Sequence, residues 1–179
     1  MFRIGAIGVE TLNRRGRAFV FVLLAAAVLS GCGTIDLVKN TFFPKVPKVE
    51  IGEISVLSDP AANLNTALEF EIVLVSDQDV LSKLSALSAA KWFELRDDLR
   101  KTYPGAIESM RWELVPGQDL HLASGQFKDK RALAVLVYAN YLTPGEHRAR
   151  IDSFHDGVNI RLLPRGFTVT ARGDAVQGK

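Results

Sequence analysis

Residues 67–75 carry large apolar side chains at every second position with two glutamates between them, and this alternation constrains the fold more than any other feature. The apolar side chains occupy every second position and the acidic ones fall between them: Leu68, Phe70, Ile72 and Leu74, with Glu69 and Glu71. Successive side chains of a strand point to opposite faces of a sheet. The segment therefore predicts a strand with one buried face and with both glutamates on the solvent side.

Further short segments with apolar periodicity, bounded by turn residues, predict a mainly β fold. They cover residues 49–57, 107–115, 119–122, 132–142, 148–151, 158–163 and 167–171. A change of phase at Gly52 predicts a bulge in the first segment. The Pro116-Gly117 turn predicts that residues 119–122 form a hairpin with residues 107–115, and the continuous apolar run in 132–142 predicts burial on both faces.

The helical period replaces the strand period between residues 79 and 103. Apolar residues recur there at spacings of three and four, Ser76 to Asp79 offer N-caps, and Ser88 offers a second cap. We expect two short helices or one kinked helix, with a solvent-facing side formed by Arg96, Asp97, Asp98, Arg100 and Lys101. Seven to eight short strands with one helical insertion after the second predict a β-sandwich.

The start of the chain is typical of a secretory signal. Three arginines between residues 14 and 17 precede an uncharged apolar run, which ends in Ser30-Gly31-Cys32. Small residues before a cysteine resemble the bacterial lipobox, in which the thiol accepts a diacylglyceryl group and the chain is cut before the cysteine. An ordinary signal peptide or a single-pass anchor is the alternative. Lipidation is favoured because Cys32 is the only cysteine of the chain.

Removal of residues 1–31 changes what the composition implies. That segment carries four arginines and one glutamate, so its loss lowers the formal net charge from +2 to −1. The basic charge therefore gives no support for nucleic-acid binding. No cysteine remains for an intramolecular disulfide, so the core must be held by packing alone. We expect no metal or cofactor.

Residues for enzyme chemistry are not arranged in a recognisable way. His121, His147 and His155 lack the spacing of a zinc site. The contiguous Ser153-Phe154-His155-Asp156 does not resemble a catalytic triad, which is assembled from separated segments. Asp97 and Asp98 are neighbours on a helix and point in different directions. We therefore expect no enzyme, and a hydrolase is disfavoured.

The order of elements resembles one known family. The chain has, in order, a lipobox, two strands, a helical insertion with Trp92-Phe93-Glu94-Leu95, a strand ending in Pro116-Gly117-Gln118 and a strongly apolar strand ending near Tyr141. This order resembles that of the TssJ family, the outer-membrane lipoproteins of type VI secretion systems. The resemblance covers residues 49–171. The chain departs from the family in Ile72-Val-Leu-Val75, which replaces Tyr-Gln-Leu, and in the loss of a tryptophan before Arg148, so a divergent member is expected.

The resemblance implies a transthyretin-like β-sandwich at residues 49–171, after a cleaved signal at 1–31 and a lipidated tether at 32–48, with a flexible tail at 172–179. It implies anchoring to the outer membrane through Cys32, consistent with Gly33 and not aspartate after the cysteine. The domain would face the periplasm and bind the periplasmic domain of the inner-membrane component TssM.

In the family this contact uses the loop between the first two strands, here residues 58–66, with Asp59, Asn63, Leu64 and Asn65 as exposed candidates. An ordinary solvent-facing loop is the alternative interpretation of that segment. For the whole protein, the alternative is a stand-alone lipoprotein that binds a ligand or assists another envelope machine.

Overall fold

Two four-stranded sheets form the framework of the described chain. The structure, a computed structural model, describes residues 46–151 and 157–172. The described residues form eight strands: β1 (Ile54–Ser58), β2 (Leu68–Val75), β3 (Ile107–Leu114), β4 (Asp119–Leu122), β5 (Ala134–Ala139), β6 (Arg148–Ile151), β7 (Val158–Leu163) and β8 (Gly166–Ala171). The predicted β-sandwich with a helical insertion after the second strand is confirmed. The predicted signal, Cys32, most of the tether, Ser153, His155 and the tail beyond Arg172 lie outside the described residues.

The first sheet has the strand order β3-β2-β5-β6 and the second has the order β4-β1-β7-β8. Neighbouring strands are antiparallel, except that β1 and β7 run parallel. The predicted hairpin between β3 and β4 is wrong, because β4 pairs with β1 and Ile54 faces Leu122. Gly117, with a φ of 79°, turns the chain across to the second sheet. There Leu122 is buried in the core between the sheets.

The first predicted strand is shorter than expected, and its change of phase has a different cause. Residues 49–53 are not part of a strand, and β1 begins at Ile54. Lys48 forms an isolated bridge with Arg131, and the Val49 N–H donates to the Lys130 carbonyl at 2.8 Å. The segment thus lies beside the start of β5 in the first sheet before β1 joins the second. The break near Gly52 marks this crossing and not a bulge.

The core between the sheets contains the predicted apolar face of β2. Phe70 and Ile72 have no exposed surface, and the Phe70 and Trp112 rings lie 6.2 Å apart. The same cluster includes Leu68 and Leu74 of β2 with side chains from the other strands: Ile54, Val56, Leu114, Val135, Val137, Ile160 and Leu162. The strand phase predicted from the alternation is confirmed.

Two helices cover the outer face of the first sheet. These are α1 (Gln78–Ser85) and α2 (Ala89–Thr102). The Asp77 carboxylate accepts from the N–H groups of residues 79 and 80, and the Ser88 hydroxyl accepts from Lys91, so the predicted capping by Ser88 is confirmed. A second apolar cluster lies beneath the helices: Val73, Val75, Leu84, Trp92, Leu136 and Tyr138. The prediction that β5 is buried on both faces is confirmed, since Val137 and Leu136 belong to opposite clusters.

Tyr138 and Trp92 stack at the centre of this second cluster. Their ring centroids are 5.1 Å apart with an interplanar angle of 15°. The Tyr138 hydroxyl donates to the Leu84 carbonyl at 2.8 Å. Burial raises the pKa of Tyr138 above its ordinary value, so the phenol stays protonated and keeps donating this hydrogen bond.

The helices also bury a charged cluster, and two predictions are wrong here. Glu71 was expected to face solvent but has no exposed surface. Its carboxylate accepts from Trp92 Nε1 at 3.0 Å, from Arg96 at 3.1 Å and from Arg100. Arg96 and Arg100 were expected on the solvent side of α2, but they point to the sheet. The reason is that the insertion covers the face of β2 that carries the glutamates.

The connections β1–β2, β3–β4, β5–β6 and β7–β8 emerge at one end of the sandwich. The register requires this, since Ser58 faces Leu162, Leu68 faces Leu114 and Phe70 faces Ala139. We call this the loop end and define it as residues 59–67, 115–118, 140–147 and 164–165. Residues 46–49 lie at the opposite end, beside residues 130–132. Within residues 46–151 and 157–172, we find no helix of the length and hydropathy needed to cross a membrane.

Candidate functional site

The β1–β2 loop begins with a turn built around Asp59. The Asp59 N–H donates to the Leu162 carbonyl at 2.9 Å, and its carboxylate accepts from the Ala61 N–H at 2.8 Å. The Asp59 carbonyl accepts from the N–H groups of Ala62 at 2.8 Å and Gly117 at 3.3 Å. The half-buried Asp59 therefore fixes the start of the loop and links it to the β3–β4 turn.

The loop then forms a left-handed turn at Ala62–Asn65. Asn63, Leu64 and Asn65 have positive φ angles of 48°, 57° and 61°. Asparagine tolerates this conformation, but for most other L-residues it costs about 1–2 kcal/mol. The Leu64 N–H donates to the Pro164 carbonyl at 3.1 Å, which ties the turn to the β7–β8 connection. Leu64 is thus held in an unfavourable backbone conformation by its surroundings.

Leu64 and Asn65 are exposed as predicted, with half of the Leu64 surface open to solvent. The expectation that Asn63 is exposed is wrong, because only 1% of its surface is accessible. Its carboxamide nitrogen donates to the carbonyls of Thr66 and Ala67 at 3.4 and 3.1 Å. Its oxygen accepts from the Leu142 N–H at 2.7 Å. A buried amide needs such partners, and here they come from two loops.

Sequence reasoning did not single out two other exposed apolar residues at the loop end. Leu142, in the β5–β6 loop, is 65% exposed, and Val115, in the β3–β4 turn, is 53% exposed. Each stands directly beside turn residues, in Val115-Pro116-Gly117 and in Leu142-Thr143-Pro144-Gly145. An apolar side chain beside a Pro-Gly turn could have indicated an exposed apolar residue from the sequence. Only the sheet topology shows that these turns lie at the same end of the sandwich as Leu64.

Aromatic and hydroxyl contacts hold the β5–β6 loop against β8. The Tyr141 hydroxyl donates to the Gly166 carbonyl at 2.5 Å and accepts from the Leu163 N–H at 3.2 Å. The Tyr141 and His147 rings stack with their centroids 4.7 Å apart. Burial raises the pKa of Tyr141 to about 12, so this hydroxyl remains protonated over the physiological range. Leu142 therefore projects from a loop that is fixed on both sides.

The chemistry of the loop end is suited to binding a protein surface. Its exposed apolar side chains are carried by loops with hydrogen-bonded backbones, an arrangement in which little order must be gained on binding. Over the two described stretches of the chain, we find no group of three or more His, Cys, Asp or Glu side chains placed to hold a metal ion.

Comparison with known proteins identifies the fold. No family model matches the chain, and no curated protein matches it by sequence. Among solved structures, the chain shares the fold of a type VI secretion lipoprotein, TssJ1 from Pseudomonas aeruginosa. That match has a TM-score of 0.54 and 17% identity, and covers 70% of this chain and 98% of TssJ1.

A second solved structure, described as a type VI membrane complex, contains a chain with the same fold. The TM-score is 0.52 with 16% identity, and the match covers 68% of this chain and 98% of that one. The resemblance to TssJ found in the sequence is thus confirmed at the level of the fold.

Proposed function

We propose that this protein is a lipid-anchored, non-enzymatic component of a type VI secretion membrane complex, equivalent to TssJ. The observation that carries the proposal is the fold, which matches 98% of TssJ1 at a TM-score of 0.54. A lipobox-like sequence at Cys32 supports the same conclusion independently, because it depends on none of the residues that form the fold.

In this proposal, Cys32 carries the lipid that holds the protein at the outer membrane. Each methylene buried in the bilayer contributes about 0.8 kcal/mol, and several acyl chains together give stable anchoring. Gly33 follows the cysteine, where aspartate would favour retention at the inner membrane. The described domain would then lie in the periplasm.

The loop end would bind the periplasmic domain of TssM, with Leu64 of the β1–β2 loop as the principal anchor. An apolar side chain that enters a pocket on a partner commonly contributes about 2 kcal/mol or more of binding free energy. Leu64 meets the structural requirements, since it is half exposed and its backbone is fixed by the hydrogen bond to Pro164. Asn65 is exposed beside it, and the Asp59 carboxylate stabilises the start of the loop by accepting a hydrogen bond from the Ala61 N–H.

The anchor is tested by fractionating cells that produce the Cys32→Ser variant. We expect this variant to lack acylation and to leave the outer-membrane fraction. A processed serine variant that remains in that fraction would contradict lipid anchoring.

The docking role is tested in cells by the Leu64→Asp variant, with Leu95→Asp as the matched control. Leu95 is an exposed leucine of α2 and belongs to none of the loops of the loop end. We expect Leu64→Asp to abolish co-purification with TssM and to impair secretion, and Leu95→Asp to preserve both. Normal secretion by the Leu64→Asp variant would favour the alternative of a stand-alone envelope lipoprotein.

A further inference from the structure

The buried side chain of Asn63 connects two loops that each expose a leucine. Its oxygen accepts from the Leu142 N–H at 2.7 Å, and its nitrogen donates to the Thr66 and Ala67 carbonyls within its own loop. Leu142 therefore owes its backbone position partly to a residue of the β1–β2 loop. This contact spans 79 positions in the sequence.

Asn63 also contributes to the conformation that presents Leu64. It begins the left-handed turn with a φ of 48°, and Leu64 follows with a φ of 57°. A leucine persists in this region only where its surroundings over-determine the backbone. The surroundings here include the side-chain hydrogen bonds of Asn63 and the bond from Leu64 to Pro164. Two backbone bonds of the turn, from the Asn65 N–H to the Ala61 carbonyl and from the Thr66 N–H to the Asn63 carbonyl, add to them. Loss of the Asn63 side-chain bonds would remove part of the support that holds Leu64 in the turn.

We propose that Asn63 is a positioning residue for partner binding, which holds Leu64 and Leu142 as one preorganised apolar pair that binds a single partner. The inference rests on the proposed function, and the occupant is the same periplasmic domain of TssM. Leu142 is continuous with the β1–β2 loop through Asn63, and it is more exposed than Leu64, at 65% against 50%.

The position of the chain entry supports this occupant. Residues 46–49 join the domain beside residues 130–132, at the end opposite to the two leucines. The described chain thus begins at the end opposite to the loop end, and residues 46–49 leave the two leucines uncovered. Holding two apolar side chains in place before binding reduces the ordering cost, which is about 0.5–1.5 kcal/mol for each immobilised side chain.

The first experiment measures the affinity of the TssM periplasmic domain for Leu142→Asp, with Leu95→Asp as the control. Leu142 is exposed, so Leu142→Asp is expected to keep the thermal stability of the parent. We expect a loss of affinity of about tenfold or more for Leu142→Asp and none for Leu95→Asp. Binding of Leu142→Asp at full strength would overturn the inclusion of Leu142 and hence the proposal.

The second experiment separates positioning by Asn63 from a general structural role. Asn63→Gly keeps a residue that adopts positive φ without penalty but removes the side-chain hydrogen bonds. The effect of Asn63→Gly on the affinity for the TssM domain is measured twice, once in the parent and once in a variant that carries both Leu64→Ala and Leu142→Ala. The two starting proteins and their two Asn63→Gly derivatives are compared at a temperature where all four are folded. We expect Asn63→Gly to weaken binding about tenfold in the parent and to have no further effect in the background.

The outcomes distinguish this inference from the proposed function. If Leu64→Asp binds TssM at full strength, the docking loop itself is wrong. If Leu64→Asp loses binding but Asn63→Gly weakens binding equally in both backgrounds, Asn63 is only structural and the inference is wrong. If Asn63→Gly does not fold, the affinity of Leu142→Asp decides the proposal alone.

Discussion

Glu71→Ala is expected to destabilise the domain strongly, although the sequence pattern alone assigns this residue to the solvent side. The carboxylate is fully buried beneath α2 and accepts hydrogen bonds from Trp92, Arg96 and Arg100. The alanine variant would leave the Trp92 N–H without this acceptor and would deprive both guanidinium groups of a buried counter-charge.

The magnitude follows from how much each partner loses. Arg96 keeps its 2.7 Å hydrogen bond to Glu69, which limits its loss. Arg100 keeps contacts with Ser109 and Asp97 but loses its buried carboxylate. Removing one member of a buried ion pair costs about 3–5 kcal/mol, because the remaining charge is left uncompensated. We expect Glu71→Ala to lower the free energy of unfolding by that amount.

The assay is equilibrium urea unfolding of the mature protein, with Glu69→Ala as the matched control. Glu69 also pairs with Arg96 but is 28% exposed at its side chain, and Arg96 would keep Glu71 in the control variant. The control is expected to cost about 1 kcal/mol or less. A cost below about 1 kcal/mol for Glu71→Ala, or equal costs for both variants, would refute the buried charged cluster.

Three further predictions concern the core and the loop end. Phe70→Ala should lower the free energy of unfolding by about 3–5 kcal/mol in the same urea assay, because the ring is fully buried between the sheets; a cost near zero would contradict the core assignment. Tyr138→Phe should cost about 0.5–1.5 kcal/mol, since it removes one hydrogen bond to the Leu84 carbonyl, which still accepts from the Leu87 N–H at 3.0 Å; an unchanged urea midpoint would show that this bond contributes nothing. Burial raises the pKa of Tyr141 from 10.0 to about 12. The stability that the protonated Tyr141 hydroxyl adds to the folded domain is therefore fully present below pH 10 and is lost as the pH rises through about 12. Thermal unfolding should therefore show a smaller alkaline loss of stability for Tyr141→Phe than for the parent, and identical pH profiles would refute this contribution.

Local patterns predicted much of the fold, because single elements carry their own signals. The alternation in β2 identified its core face through Phe70 and Ile72, and the cap at Ser88 marked the start of α2. Both depend only on residues that are close in sequence. Strand alternation and helix capping are therefore the same in any fold that contains the strand or the helix.

Long-range pairing produced the errors. The burial of Glu71 depends on a helical insertion that folds back over β2, and nothing in the alternation of β2 reveals that cover. The pairing of β4 with β1 depends on a turn at Gly117 that changes sheets, although Pro-Gly turns also join simple hairpins. Neither the burial of Glu71 nor the pairing of β4 with β1 can be predicted from the residues of one segment alone.

The candidate site was predicted only in part for the same reason. Leu64 could be identified as an apolar residue within a polar loop, and it is exposed as expected. Asn63 was expected beside it at the surface, yet its buried role requires Leu142 as a partner 79 positions away. Leu142 and Val115 become candidates only when the sheet registers bring their loops to the same end.

The most direct test of the proposed function is a calorimetric titration of the mature, unlipidated protein with the purified periplasmic domain of TssM. The parent and Leu95→Asp should bind the domain with the same affinity, and Leu64→Asp should lose about 2 kcal/mol or more of binding free energy while unfolding at the same temperature. No binding by the parent, or full-strength binding by a folded Leu64→Asp variant, would contradict a TssJ-like protein that docks through its loop end.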